Sequence, residues 1–313
     1  MTGKPFPAGM ASLGLAVLLA VLLLPAPSAG QGAQRAASRP WKPSVAGARR
    51  YARARLGDVS FAIVGRRTRL RSFRGARTAP AASVIKAMLL VAYLRQRSVR
   101  NRRLHADEKA LLEPMIRVSD NAAGIQVAAL LGDGRVERLA RAARMRDFRW
   151  VYEPGWLGGL SQISARDQAR FMLRYERYVP GRHRRFARHL LGSVVSWQRW
   201  GIADVRPRGW RLYFKGGWGI NDDGVGTVSH QVAFLERGRC RLALAILTEH
   251  NPSTAYGTET LRGVAVRLLH GLRAAPCGRR KAVRPWLGRG LDLWEEWGDA
   301  LDPLAAGAGA QLG

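Results

Sequence analysis

Cysteine is nearly missing from this chain: Cys240 and Cys277 are the only two among 313 residues. That excludes a disulfide-built scaffold and any Cys-x-x-Cys metal or redox pair, and it permits one disulfide between the two in an oxidising compartment. Histidine is scarce as well, with six residues at positions 105, 183, 189, 230, 250 and 270, none spaced i, i+4 as a helical zinc site requires. No metal and no other cofactor is therefore expected. Acidic side chains are outnumbered, 22 against 52 Lys and Arg, for a formal charge of +30. The excess is spread along the whole chain, even through helix middles such as Arg138, Arg141 and Arg144, and it comes without a nucleic-acid reading motif. Nucleic acid is thus not the expected partner; the anionic cell envelope is, as a peripheral contact.

Long apolar runs are lacking too. The longest, Leu13 to Leu24, holds twelve residues, whereas a helix crossing a bilayer core needs about 20. Lys4 stands before it and the small, turn-prone Pro25-Ala26-Pro27-Ser28-Ala29-Gly30 follows, which is the pattern of a secretory signal. Residues 1–30 are expected to be a signal peptide, and the mature chain to be a soluble monomer that is secreted, periplasmic or held at the cell envelope.

Residues 31–48, rich in Ala, Ser, Pro, Gly and Arg without apolar periodicity, read as a flexible linker, so the folded domain is expected over 49–274. Val59 to Val64 and Arg69 to Phe73 look like the arms of a hairpin around Gly65-Arg66-Arg67. Helical spacing follows over 83–95, 106–116, 122–131 and 135–145, and Ser164 opens another helix with Asp167 at its third position. Strand-forming residues return at 210–214, 228–235 and 241–248, and a helix near 258–272 closes the domain. Strands at both ends with helices between them exclude a series of βαβ units. The expected class is α+β: a five-stranded antiparallel sheet flanked by helices, with an all-helical region in the middle. Over 275–313, the residues Trp286, Leu287, Leu291, Trp294 and Leu301 suggest a C-terminal extension carrying an amphipathic helix.

Three short motifs carry the chemistry. Ser83-Val84-Ile85-Lys86 puts a hydroxyl and an ammonium one helical turn apart on one face. A serine becomes a good nucleophile when a neighbouring base takes its proton, and a lysine can do so once burial has lowered its pKa. Ser119-Asp120-Asn121 falls in a break between helices, and Lys215-Gly216-Gly217 is expected to end a strand, with Gly216 to Gly226 connecting edge strands. In this order the three resemble the S-x-x-K, S-D-N and K-T-G motifs of class A β-lactamases and penicillin-binding proteins. The resemblance covers residues 50–273.

It implies that Ser83 is acylated, that Lys86 is its proton partner, and that Ser119 passes a proton to the leaving nitrogen. Asn121 would bind the substrate amide, Lys215 would hold Ser119 and attract a carboxylate, and the backbone N–H groups of Ser83 and of Trp218, just past Gly217, would form the oxyanion hole. Glu153, before Pro154, matches the glutamate that activates the deacylating water. The chain departs from the pattern in having Gly216 for the threonine and a large ring at Trp218. The expected substrate is a β-lactam, a related small amide, or a peptidoglycan-derived one. A D,D-carboxypeptidase or an esterase acting on cell-wall material remains open, as does a non-catalytic protein that binds cell wall or lipid.

Overall fold

A computed structural model describes residues 41–274 apart from 67, 154 and 156. The expected signal peptide, residues 31–40 of the linker, Cys277 and the 275–313 extension lie outside the described residues. Helix α1 spans Val45–Arg53, followed by strands β1 (Asp58–Gly65), β2 (Arg71–Phe73) and β3 (Thr78–Pro80). Five helices come next: α2 (Ile85–Leu94), α3 (Arg97–Arg100), α4 (Ala106–Arg117), α5 (Asn121–Leu131) and α6 (Arg135–Ala142). Strand β4 (Gln162–Ser164) leads into α7 (Ala165–Tyr178) and α8 (Arg184–Gly192). The chain then lays down β5 (Arg211–Ile220), β6 (Thr227–Arg237), β7 (Cys240–Asn251) and α9 (Thr254–Leu269).

The main sheet has five antiparallel strands in the order β2-β1-β7-β6-β5, and β3 pairs with β4 in a small second sheet. Side chains alternate across strands, so β6 and β7 feed two cores. Val232, Phe234, Ala243 and Ala245 join α2 and α4 to α8 on one face, while Ala233, Leu235, Leu242, Leu244 and Ile246 meet α1 and α9 on the other. Burial on both faces explains why β7 reads as an unbroken apolar run.

Helix α2 is buried at every position, Lys86 included, because it runs through the helical core. Helix α7 starts where the sequence indicated, with the Ser164 hydroxyl accepting the Asp167 N–H.

Two boundaries differ from the sequence reading. The fold begins before Arg49: α1 takes the last four residues of the expected linker, and Trp41 Nε1 donates to the His270 carbonyl at 2.7 Å. Val45, Ala48 and Ala52 share one face of this helix and pack on the core shared with α9; alanine's small side chain hid that stripe. Strand β5 does not end at Lys215 but continues to Ile220, and only residues 221–226 connect it to β6. Pairing with β6, from Lys215↔Val232 to Ile220↔Thr227, holds this glycine-rich stretch extended despite its low strand propensity.

Candidate active site

Ser83 sits in the single 3₁₀ turn of residues 82–84 that feeds α2. The approach to it is fixed from three sides. Ala81 N–H donates to Ser161 O and Ala82 N–H to Gly159 O, both at 2.8 Å. Pro80 O accepts from His230 Nε2 at 2.9 Å, while His230 Nδ1 accepts the Thr248 N–H at 3.1 Å, which sets the neutral tautomer. Burial lowers the pKa of His230 to about 4. Ala82 adopts φ of +45°, a conformation costing a non-glycine residue about 1–2 kcal/mol, and these bonds hold it there.

Lys86 Nζ lies in the same core and donates to Ser119 O at 2.6 Å, Asn121 Oδ1 at 2.7 Å and Ser119 Oγ at 3.3 Å. Burial depresses its pKa to about 8, partly opposed by the negative charge of Asp120. From β5, fully buried Lys215 donates to Ser119 Oγ at 2.9 Å and to Gly216 O at 2.8 Å. Burial, and then the nearby Lys86, push Lys215 well below the usual lysine range. Ser119 has φ of +62°, and this left-handed turn aims its hydroxyl between the two lysines. Asp120 caps α5, its Oδ1 accepting the Ala123 N–H at 2.7 Å, so the middle residue of the motif is structural.

A serine oxygen has two lone pairs and one proton. At Ser119 both lone pairs receive lysine protons, which leaves its own O–H directed elsewhere. Ser83 Oγ makes no hydrogen bond among the described residues.

Two glycines of β5 fit the strand to its surroundings. A Cβ on Gly217 would lie 2.9 Å from both Ser83 N and Val84 N, so only glycine lets β5 pass against the start of the helix. A Cβ on Gly216 would meet the Trp200 ring at 3.1 and 3.2 Å. Trp200 thus fills the space into which a threonine side chain would project.

Trp218 is half-buried next to this wall. Its ring lies 5.9 Å from Lys215 Nζ and edge-on to Trp197 and Trp200, at centroid separations of 6.2 and 5.8 Å. Gln231, buried on β6, fixes the segment bearing these rings: Nε2 donates to Trp200 O at 2.7 Å, and Oε1 accepts the Ile202 N–H at 2.6 Å. Gln198 Nε2 ties the segment to Val118 O, next to Ser119, at 2.8 Å. Sequence reasoning found Trp218 but missed Trp197, Trp200, Gln231 and His230. Trp197 and Trp200 have a three-residue spacing that no chemical motif marks.

The structure brings together Ser83, Lys86, Ser119, Asn121, Lys215, Gly217 and Trp218. It shows no bond between Glu153 and this group. That residue is exposed and, among the described residues, hydrogen-bonds to nothing in the cleft; Pro154 lies outside the described residues. The loop instead turns Leu157 inward, since a Cβ on Gly124 would touch both Lys86 Cε and Leu157 Cβ, at 3.0 and 3.6 Å. Cys240 is disulfide-bonded, and its expected partner Cys277 lies outside the described residues.

A family model described as the beta-lactamase enzyme family matches residues 106–270. No curated protein sequence matches. Among solved structures, a β-lactamase from Sphaerobacter thermophilus is similar at 21% identity, covering 74% of this chain and 98% of that one with a TM-score of 0.61. A class A β-lactamase from Mycobacterium abscessus has 18% identity, the same coverages and a TM-score of 0.61. A protein named PBP-A has 18% identity over 74% of this chain and 96% of that one, with a TM-score of 0.58. At these identities the likeness establishes the fold.

Proposed function

Because the chain belongs to the beta-lactamase enzyme family, serine hydrolases of the class A fold, we propose that it attacks an amide with Ser83 and passes through an acyl-enzyme there. The observation that carries this reading is the chain of bonds Lys86–Ser119–Lys215 beside Ser83. Neutral Lys86, accessible because burial lowers its pKa to about 8, takes the Ser83 proton as Oγ bonds to the carbonyl carbon. The oxyanion gathers at the N–H groups of Ser83 and Trp218, where β5 crosses the helix start. On collapse the C–N bond breaks. The leaving nitrogen takes the Ser119 proton, and Lys86 returns to Ser119 the one it received. Asn121, whose Oδ1 is held by Lys86, turns its amide N–H₂ toward the substrate.

Hydrolysis then needs an activated water, and here the chain reads as slow. The supporting observation is Glu153, exposed and without a hydrogen bond to the lysine–serine chain among the described residues. Gly216 offers no hydroxyl to a substrate carboxylate either, so substrate is gripped by Lys215 and the tryptophan wall. These two observations favour a D,D-peptidase-like role on cell-wall amides as the second reading, with β-lactams as acylating agents that are slowly released. Export to the cell envelope, argued from Lys4 and the run from Leu13 to Leu24, belongs to the same proposal.

Time-resolved mass spectrometry of the protein with benzylpenicillin tests it. A penicilloyl adduct that forms on the wild type, persists over many minutes and is absent in Ser83→Ala is expected, with Glu153→Gln changing its loss less than about threefold. An adduct that vanishes within seconds in the wild type and persists in Glu153→Gln would make the protein an efficient β-lactamase. An adduct retained in Ser83→Ala would remove Ser83 as the nucleophile.

A further inference from the structure

Three concavities join end to end on the outside of the helical region. The largest, about 750 Å³, lies between the end of β1 and α7, with Arg66, Arg69 and Arg174 on its walls. It shares Arg177 and Arg184 with a second of about 540 Å³. That one shares Arg95 and Arg100 with a third of about 480 Å³, which ends against Arg135 and Arg138 of α6. Among the described residues, twelve arginines and one carboxylate, Glu176, line the three together.

The carboxylate is already engaged, since Arg188 and Arg241 both pair with it. Arg66, Arg69, Arg174, Arg177, Arg100 and Arg138 make no side-chain hydrogen bond or ion pair among the described residues. This is a continuous strip of uncompensated guanidinium groups, well apart from the nucleophile. Arg95 lies twelve residues beyond Ser83, about 18 Å along the helix at 1.5 Å per residue.

We infer that this strip is a binding track for a linear phosphate-bearing polymer, which anchors the protein and leaves the Ser83 cleft open. The guanidinium fork matches a phosphate with two parallel hydrogen bonds, and arginines shared between neighbouring concavities let one chain pass from each to the next. The shape and lining select among polyanions. A docked membrane would need apolar side chains to insert, and none of the exposed large apolar residues lines the track. A single-stranded nucleic acid would need a row of aromatic faces, and Tyr178 is the only aromatic residue on these walls among the described residues.

The test measures binding of fluorescently labelled linear inorganic polyphosphate to the full chain by anisotropy, across a range of salt concentrations. The double variant Arg100→Gln/Arg177→Gln removes one exposed arginine from each junction, leaving Arg95 and Arg184, whose side chains bond to backbone carbonyls. It should weaken binding at least about tenfold and lower the salt slope by about 1 to 2. Arg50→Gln/Arg208→Gln removes the same charge from exposed positions off the track, and should weaken binding less than about threefold. None of the four side chains has a partner to lose among the described residues, so both doubles should melt within a degree or two of the wild type. Equal losses in the two doubles would overturn the track in favour of net charge alone. Tighter binding to phosphatidylglycerol vesicles, insensitive to the junction pair, would replace it with a membrane surface. An oligothymidylate that binds over tenfold tighter than polyphosphate of equal charge would replace it with nucleic acid.

Discussion

The two sides of the Ser83 cleft are built by opposite means. On the lysine side the polar groups are tied down: Ser119 Oγ lies between buried Lys86 and Lys215, half-buried Asp120 caps α5, and buried His230 pins the turn before Ser83 to the sheet. On the loop side Glu153, the carboxylate expected for the water step, is exposed and has no hydrogen bond among the described residues. Acylation chemistry rests on preorganised groups, which are worth most where water is excluded. The difference predicts an enzyme whose first half-reaction is fast and whose second is limiting.

The largest effect should come from taking away the locked side's base. Lys86→Ala should slow acylation by benzylpenicillin at least about a thousandfold in stopped-flow measurements. In the wild type the acylation rate should rise with pH and level off around a midpoint near 8, since only neutral Lys86 accepts the proton. Asp120 supports the protonated form of Lys86, so Asp120→Asn, which keeps the cap, should move that midpoint to lower pH. A midpoint unmoved by Asp120→Asn would mean that another group is the base, and the contrast between the two sides would lose its foundation.

The locked side is also what the sequence made legible. Ser83 and Lys86 share a helical face by spacing alone, and the order of the three motifs named the fold that the sheet order and the helices then displayed. What stayed hidden depends on contacts between distant residues. His230 and Gln231 look like ordinary strand residues, yet both are fully buried and organise loops more than 25 residues away in sequence. Residues Gly216 to Ile220 read as part of a connection because their glycines suit one; the ladder with β6 and the close passage against Ser83 decided otherwise. The Glu153 motif carried the right residue types, but no local pattern records whether a loop folds its carboxylate inward.

His230 gives a second, smaller way to test the lock. Its imidazole takes up a proton near pH 6.5 in the unfolded chain and only near 4 in the folded one. Between those values the unfolded chain holds the extra proton, so stability is complete above pH 6.5 and falls as the pH drops through the window. At 1.36 kcal/mol per pH unit the total comes to about 3 kcal/mol. Denaturant titrations at pH 7 and pH 4 should show that loss in the wild type and lack it in His230→Gln. An identical pH dependence in the two proteins would mean that the ring is not the buried neutral pin between Pro80 and Thr248.

The smallest effect concerns the wall where the aromatic rings stand. Gly216→Thr asks for a Cβ and two further heavy atoms where Trp200 already lies 3.1 Å from the Cβ position, and Gln231 keeps the Trp200 backbone from retreating. Overpacking of this kind costs about 1–3 kcal/mol, read as a lower denaturation midpoint with an unchanged m-value. Trp200→Ala in the same chain vacates the space, so the double variant should recover most of that stability relative to Trp200→Ala alone. It should also gain what the wild type lacks, a hydroxyl beside Lys215 able to meet a carboxylate, and acylation by benzylpenicillin should quicken about tenfold over Trp200→Ala. Stability recovered without that gain would show that the tryptophans fill the wall without setting its substrate. A gain in rate would make the exchange of a hydroxyl for indole rings the feature that separates this cleft from one built for penicillins.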